Sequence, residues 1–292
     1  MIKTTLRAVA AAALLTMTAG AHAAVAQEFK VNPNSNGLTA IGQVFTADQV
    51  SGVSSARVTY LGSNQYRSVG YIQYQGFALN GQTVGVEKTL INFGGLGYGL
   101  YATFDQTFTC SAMLSPGVRC SIDTINLELF GDPGANNTYN QATLTSNASV
   151  TPMGNQVLLG TVDAVIDGEA GLSSLGGAYQ NVNTNFKVTP EGQLYFIEPN
   201  PFFNFAFSAF NNSSQGLLCS NGVAPDGAPP TSLPAAGNPA LNPCIAATVV
   251  AINQESGTTD FNGGDVPEPG ALALMGVGLL GMTAYRRKRK QK

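Results

Sequence analysis

The chain has 292 residues, with 14 Lys and Arg, 17 Asp and Glu, four Cys, one His and no Trp. The formal net charge of −3 hides an uneven distribution: residues 24 to 265 hold six Lys or Arg against 16 Asp or Glu, a net of −10, and the two ends hold the remaining cations. An acidic body argues against electrostatic binding to nucleic acid or anionic lipid. The only histidine, His22, falls in a leader expected to be removed, which excludes Ser-His-Asp and Cys-His catalysis and any His-ligated zinc or haem centre in the mature chain.

Residues 1–23 read as a secretory signal peptide. Lys3 and Arg7 precede an apolar stretch from Ala8 to Met17, and Ala21-His22-Ala23 supplies a small-x-small cleavage site, so that the mature chain begins at Ala24. Ala24-Val25-Ala26 is a second acceptable site three residues on.

From Ala24 to Ile252 short apolar runs alternate with Gly, Asn, Pro and Ser, the punctuation of strands joined by turns. The runs are Arg57–Leu61, Val69–Phe77, Val84–Phe93, Tyr98–Phe104, Ile122–Phe130, Gln141–Val150, Val157–Ile166, Val182–Val188, Leu194–Ile197, Phe202–Phe210 and Ile245–Ile252. No helical period persists, so the expected fold is all-β, an extracytoplasmic antiparallel β-sandwich of two packed sheets over residues 24–252. Phe203, Phe205 and Phe207 share one face of their strand by period two, with Phe202, Asn204, Ala206 and Ser208 on the other. The first face is expected to be core, the sharper alternative being a platform for sugar rings. Tyr66, Tyr71 and Tyr74 are likewise expected to pack in the sheet rather than against a ligand.

Four exported cysteines imply disulfides. Their spacing suggests the local pairs Cys110 with Cys120 and Cys219 with Cys244, although four cysteines permit three connectivities. A metal-thiolate site lacks both a C-x-x-C pair and a histidine. The second pair would close a Pro-rich exposed loop over residues 219–244.

Without histidine, catalysis would fall to paired carboxylates, as in glycoside hydrolysis, and Asp163, Asp167 and Glu169 are the candidates. The plain reading is solvated surface acids, and the same cluster lacks the D-x-D-x-D-G spacing of a calcium loop. The reading is accordingly non-catalytic, with no cofactor and no metal. Residues 253–265 are polar and glycine-containing, and are expected to form a flexible tether.

The C-terminal segment, residues 266–292, begins with Val266-Pro267-Glu268-Pro269-Gly270. The apolar run Ala271–Tyr285 follows, then Arg286-Arg287-Lys288-Arg289-Lys290. Fifteen helical residues reach roughly 22 Å, short of a bilayer core of about 30 Å. Spanning therefore needs thinning of the bilayer and basic side chains stretching to the interface. The basic cluster acts as a stop-transfer signal that stays cytoplasmic and leaves everything before Pro267 across the membrane. Two prolines stop the helix from propagating backwards. Gly276, Gly278 and Gly281 spell G-x-G-x-x-G, but inside a span this is no dinucleotide site.

This order of motif, span and basic cluster resembles the PEP-CTERM sorting tail. The resemblance implies recognition of Val266, Pro267, Glu268 and Pro269 by an exosortase, transient anchoring in the inner membrane, removal of the tail and passage to the cell surface or extracellular matrix. In the body, Gly76-Phe77-Ala78-Leu79-Asn80, Gly97-Tyr98-Gly99-Leu100-Tyr101-Ala102 and the run from Phe196 to Phe205 are similar to the flocculation-associated PEP-CTERM proteins of floc-forming bacteria. That likeness implies a secreted protein needed for cells and exopolysaccharide to gather into flocs, and the Cys219–Cys244 insert departs from it. The expected partners are thus an exosortase and exopolysaccharide or other matrix components, with self-association through exposed strand edges. The alternatives are a glycan-active enzyme or a plain carbohydrate-binding module.

Overall fold

A computed structural model describes residues 26–211, 217–220 and 244–262. The expected signal peptide, the interior of the 219–244 loop and the whole sorting tail, including its expected transmembrane helix, lie outside the described residues. The first strands are β1 (Phe29–Val31), β2 (Phe45–Ala47), β3 (Gln49–Gly62), β4 (Gln65–Leu79), β5 (Gln82–Thr83), β6 (Tyr98–Cys110) and β7 (Arg119–Pro133). Next come β8 (Thr138–Asn140), β9 (Ser149–Thr151), β10 (Val157–Val162), β11 (Val165–Leu172), β12 (Ala178–Asn185) and β13 (Lys187–Val188). Last are β14 (Phe196–Glu198), β15 (Phe205–Asn211), β16 (Leu217–Cys219) and β17 (Val249–Asn262).

Three expected strands are corrected. Val84–Phe93 contains a short helix, Val86–Thr89, ended by Leu90 in the left-handed region (φ 56°). Gln141–Val150 is mostly the loop of the β8–β9 hairpin. Leu194–Ile197 straddles the helix Pro190–Tyr195 and β14. Thr189 caps this helix by accepting from the Gly192 N–H at 2.9 Å, and Pro190 fits its first turn.

The long strands close on themselves instead of forming two sheets. β3, β4, β6 and β7 form an antiparallel meander, and β7 then pairs with β10 near one end and β11 near the other. β11 pairs with β12, β12 with β15, β15 with β17, and β17 returns to β3 from Val249↔Thr59 to Thr259↔Val50. With β10 and β11 as one bent stave and β13 prolonging β12, eight staves make a closed up-and-down antiparallel barrel. The expected sandwich is thereby corrected. Alternating residues specify two faces in either architecture, and closure is decided by whether the outer strands find each other. The expected tether is corrected as well, since Asn253–Asn262 is the second half of β17.

One end of the barrel is plugged by the small sheet β14-β1-β2, whose Phe29, Phe45 and Phe196 meet Phe77, Phe186, Phe202 and Phe261 from the barrel and its loops. Ring centroids there lie 4.5 to 6.5 Å apart, mostly edge to face, as aromatic quadrupoles prefer. The other end is filled by Tyr66, Phe108, Leu114, Leu172 and both cystines. There the Tyr66 hydroxyl donates to the Ala247 carbonyl at 3.0 Å and accepts from the Leu114 N–H at 2.8 Å.

Between the two apolar ends the lumen carries polar groups: Ser54, Glu255, Gln106 and Gln180, and the chain Tyr74, Thr259 and Ser208. Glu255 points inward because of a bulge. The register shifts between Asn253 and Glu255, and Gln254 takes φ 58°. Residues two apart would ordinarily share a face, and the extra residue sends them to opposite faces. Asn253 thus lies outside, beneath the hairpin, hydrogen-bonded to Ser55 at 2.5 Å and to Ala142, while Glu255 lies inside.

Candidate functional site: the outer wall

The carboxylates singled out from sequence all stand on the outside of the bent stave, each held by its own partner. Asp163 accepts from Lys187 Nζ at 2.5 Å and from Asn185 Nδ2 at 2.6 Å. These bonds, that from Lys187 first, hold its carboxyl below the usual range. Asp167 accepts from Asn183 Nδ2 at 2.6 Å. Glu169 accepts from the Tyr179 hydroxyl at 2.5 Å and lies 3.7 Å from Arg119 Nε. The strand thus brings the three acids onto one wall, where each bonds across to the neighbouring stave rather than converging on a shared point. Asp163, held ionised by Lys187 and Asn185, is a poor proton donor, whereas a glycosidase needs one carboxyl kept protonated.

β15 carries the second candidate. Ala206 and Phe210 are buried inward, and Phe202 joins the aromatic plug. Phe205 and Phe207 consequently face outward, half-buried, which corrects the expectation that their face is core. Phe203, just before the strand, packs partly against the plug. Register places Phe207 between Asn183 and Asp260, and Phe205 between Asn185 and Asn262. The acids and the two outward phenylalanines therefore share the wall formed by β11, β12, β15 and β17, with the β12 asparagines between them. Burial, then repulsion from Asp48, raises the pKa of Asp260, and its hydrogen bond with Gln49 opposes this. Tyr66 and Tyr74 lie buried inside the barrel; Tyr71 faces out but is covered by the β8–β9 hairpin.

The lumen offers little room. Two cavities lined by described residues, about 40 Å³ and 30 Å³, share Phe104, Gln180 and Glu255. Ligand sites of drug or sugar size occupy roughly 300 Å³ or more. Glu255, 7% exposed, accepts from Ser54 Oγ at 2.8 Å, and burial pushes its carboxyl up to about 7. Sequence reasoning missed this residue, because an acid in a polar Asn-Gln-Glu-Ser run carries the signature of a loop. Only the bulge turns it inward.

Cys110 is bonded to Cys120 across the β6–β7 pair, and Cys219 to Cys244 at the edge of β16. Among the described residues there is no group of three or more His, Cys, Asp or Glu able to hold a metal ion, and no helix long and apolar enough to cross a membrane. The outer wall itself is polar, with hydroxyls and a few paired charges. Arg67 pairs with Asp105, the Thr109 hydroxyl donates to Asp123 at 2.7 Å, and Thr107 meets Thr124 at 2.7 Å. A barrel that faces lipid has the reverse arrangement, apolar outside and polar within.

Residues Val266, Pro267, Glu268 and Pro269, the basic cluster Arg286 to Lys290 and the cleavage-site residues Ala21 and Ala23 lie outside the described residues. The protein-family model described as the PEP-CTERM protein-sorting motif matches residues 265–290. No curated protein and no solved structure matches the chain. The motif implies export, transient anchoring in the membrane and processing by an exosortase.

Proposed function

We propose that this exported, exosortase-processed chain is a non-catalytic protein of the cell surface or extracellular matrix that promotes exopolysaccharide-dependent aggregation of cells. The sorting motif at residues 265–290 carries the reading, because it implies export and exosortase processing, the route by which a body would reach matrix polysaccharide. The barrel supports it. With its lumen packed and both ends plugged, its extended contact surface is the outer wall, rich in amides and hydroxyls and sparing in charge. Such groups hydrogen-bond weakly one at a time, so adhesion needs many of them acting together, on one long polymer or on several copies of the chain.

A second, narrower reading is a carbohydrate-binding module, favoured by the outward Phe205 and Phe207 beside the β12 asparagines. Apolar ring faces flanked by amides suit a neutral sugar, which offers C–H groups on one side and hydroxyls at its edge. The glycan-active alternative is tested by replacing Asp163, Asp167 and Glu169 together by Ala. A binding role predicts that the variant still aggregates cells and that neither protein shortens the polysaccharide, and measurable depolymerisation by the native protein sinks it. For the whole reading, deletion of the host's exosortase is expected to trap full-length chain in the cytoplasmic membrane and to leave cells dispersed. Normal flocs from cells with all of the protein trapped would refute the matrix role.

A further inference from the structure

The two ends of the barrel differ in what they expose. At the end where β17 finishes, Ile41, Val44, Val86, Phe93, Leu96 and Leu194 are 40 to 61% exposed. They stand on three loops that touch: Thr39 Oγ1 donates to the Leu96 carbonyl at 2.9 Å, and Asn36 Nδ2 to the Glu191 carbonyl at 2.8 Å. Large side chains exposed together on neighbouring loops mark a contact surface more often than isolated ones do. Among the described residues, the opposite end exposes Leu61, Leu175 and Ile245.

β17, the last described strand before the sorting tail in sequence, finishes at this same end. β17 ends at Asn262, and the apolar run begins at Ala271, nine residues on. The eight residues 263–270 lie between them, and a chain of that length reaches at most about 30 Å. A tail anchored in the membrane therefore holds the apolar end within about one barrel length of the lipid, where a contact too weak to form in free solution becomes populated. Charged groups on these loops, Glu28, Glu87, Glu191 and the Lys30–Glu198 ion pair with Lys88, leave a slight acidic excess, which suits a zwitterionic surface better than an anionic one.

We infer that this end of the barrel rests on the outer leaflet of the cytoplasmic membrane while the tail is anchored, and lets go when the tail is cut. The inference rests on the anchoring that the sorting motif implies. Cleavage removes the tether, and the six side chains alone do not hold the body down. Release thus needs no second signal.

Because the chain has no tryptophan, one substitution supplies a unique probe. Full-length Leu96→Trp and Leu194→Trp, and Leu61→Trp as the far-end control, would be reconstituted in phosphatidylcholine vesicles carrying brominated acyl chains. A side chain inserted to the depth of the headgroup boundary is expected to lose about half its emission to the bromines. Leu96→Trp and Leu194→Trp should show this loss and a blue shift, Leu61→Trp neither, and Leu96→Trp should lose the effect once its tail is removed. Equal emission at both ends, with the protein still floating with the vesicles, overturns the inference. Quenching that requires co-reconstituted exosortase also overturns it, by making the surface a protein-docking one. Failure to float at all instead refutes the anchoring on which it rests.

Discussion

Glu255 is the residue whose environment has the sharpest measurable consequence. Burial raises its carboxyl to about 7 in the folded protein, against an ordinary value near 4.5, and the bond from Ser54 only partly opposes this. The folded state therefore keeps a proton that the unfolded state gives up. Stability is fully present below about pH 4.5, falls as pH rises towards 7 and is level above that, a loss on the order of 3 kcal/mol. Glu255→Gln should flatten this window, seen as a urea midpoint that changes less between pH 4.5 and 7 than that of the native chain. The repulsion of an acidic body acts in the same direction but is common to both proteins, so their difference isolates the one group. On the outer wall, Phe205→Ser with Phe207→Ser should reduce retention on the host's exopolysaccharide several-fold. Stability should fall by about 1 to 3 kcal/mol, since both rings are partly buried against their neighbours. A melting shift without loss of retention would return these rings to a purely structural role.

At the scale of the element, β17 is the stave that completes the ring, and its partners approach it closely. A Cβ on Gly257 would sit 2.1 Å from the Ala209 carbonyl oxygen and 2.6 Å from Phe210 Cα, backbone atoms that cannot swing aside. Gly257→Ala should cost about 1 to 3 kcal/mol in a denaturant titration. The hairpin clamp offers a second test. Asn253→Ala leaves Ser55 and the Ala142 backbone short of partners, and should cost about 1 to 3 kcal/mol and speed hydrogen exchange across β8 and β9. The sequence made the central strands legible because Ile122–Phe130 alternates over most of its length, and Val69–Phe77 and Tyr98–Phe104 are dense in aromatic and aliphatic residues between turn-forming ones. It was misleading where alternation is shared with other structure. Val84–Phe93 has the composition of a strand, but Gly85 and a left-handed Leu90 bracket a helical turn. Asn253–Asn262 has the composition of a linker, yet its Thr and Asn side chains suit the outside of a barrel as well as they suit solvent.

For the whole molecule, closure separates two kinds of adhesive protein. A sandwich leaves sheet edges that can pair with another copy, whereas a ring of eight staves bonds each long strand on both sides and leaves side chains to make contacts. Association of copies through the outer wall should therefore be sensitive to wall substitutions and insensitive to backbone-capping changes such as Pro in the short strand β13. Size-exclusion chromatography of the processed protein, with and without polysaccharide, checks this.

What the sequence determined by itself was the address and the material: an acidic, histidine-free body of strand-forming runs ahead of a sorting motif. Those properties are written in local composition, which needs no distant partner to be read. Tertiary structure decided that the strands close, that Phe205 and Phe207 face water while Phe202 does not, and that Glu255 is buried. Each of these turns on which residue lies across a ladder or on one extra residue in a bulge, and period-two alternation cannot distinguish inside from outside until every stave has met its neighbour.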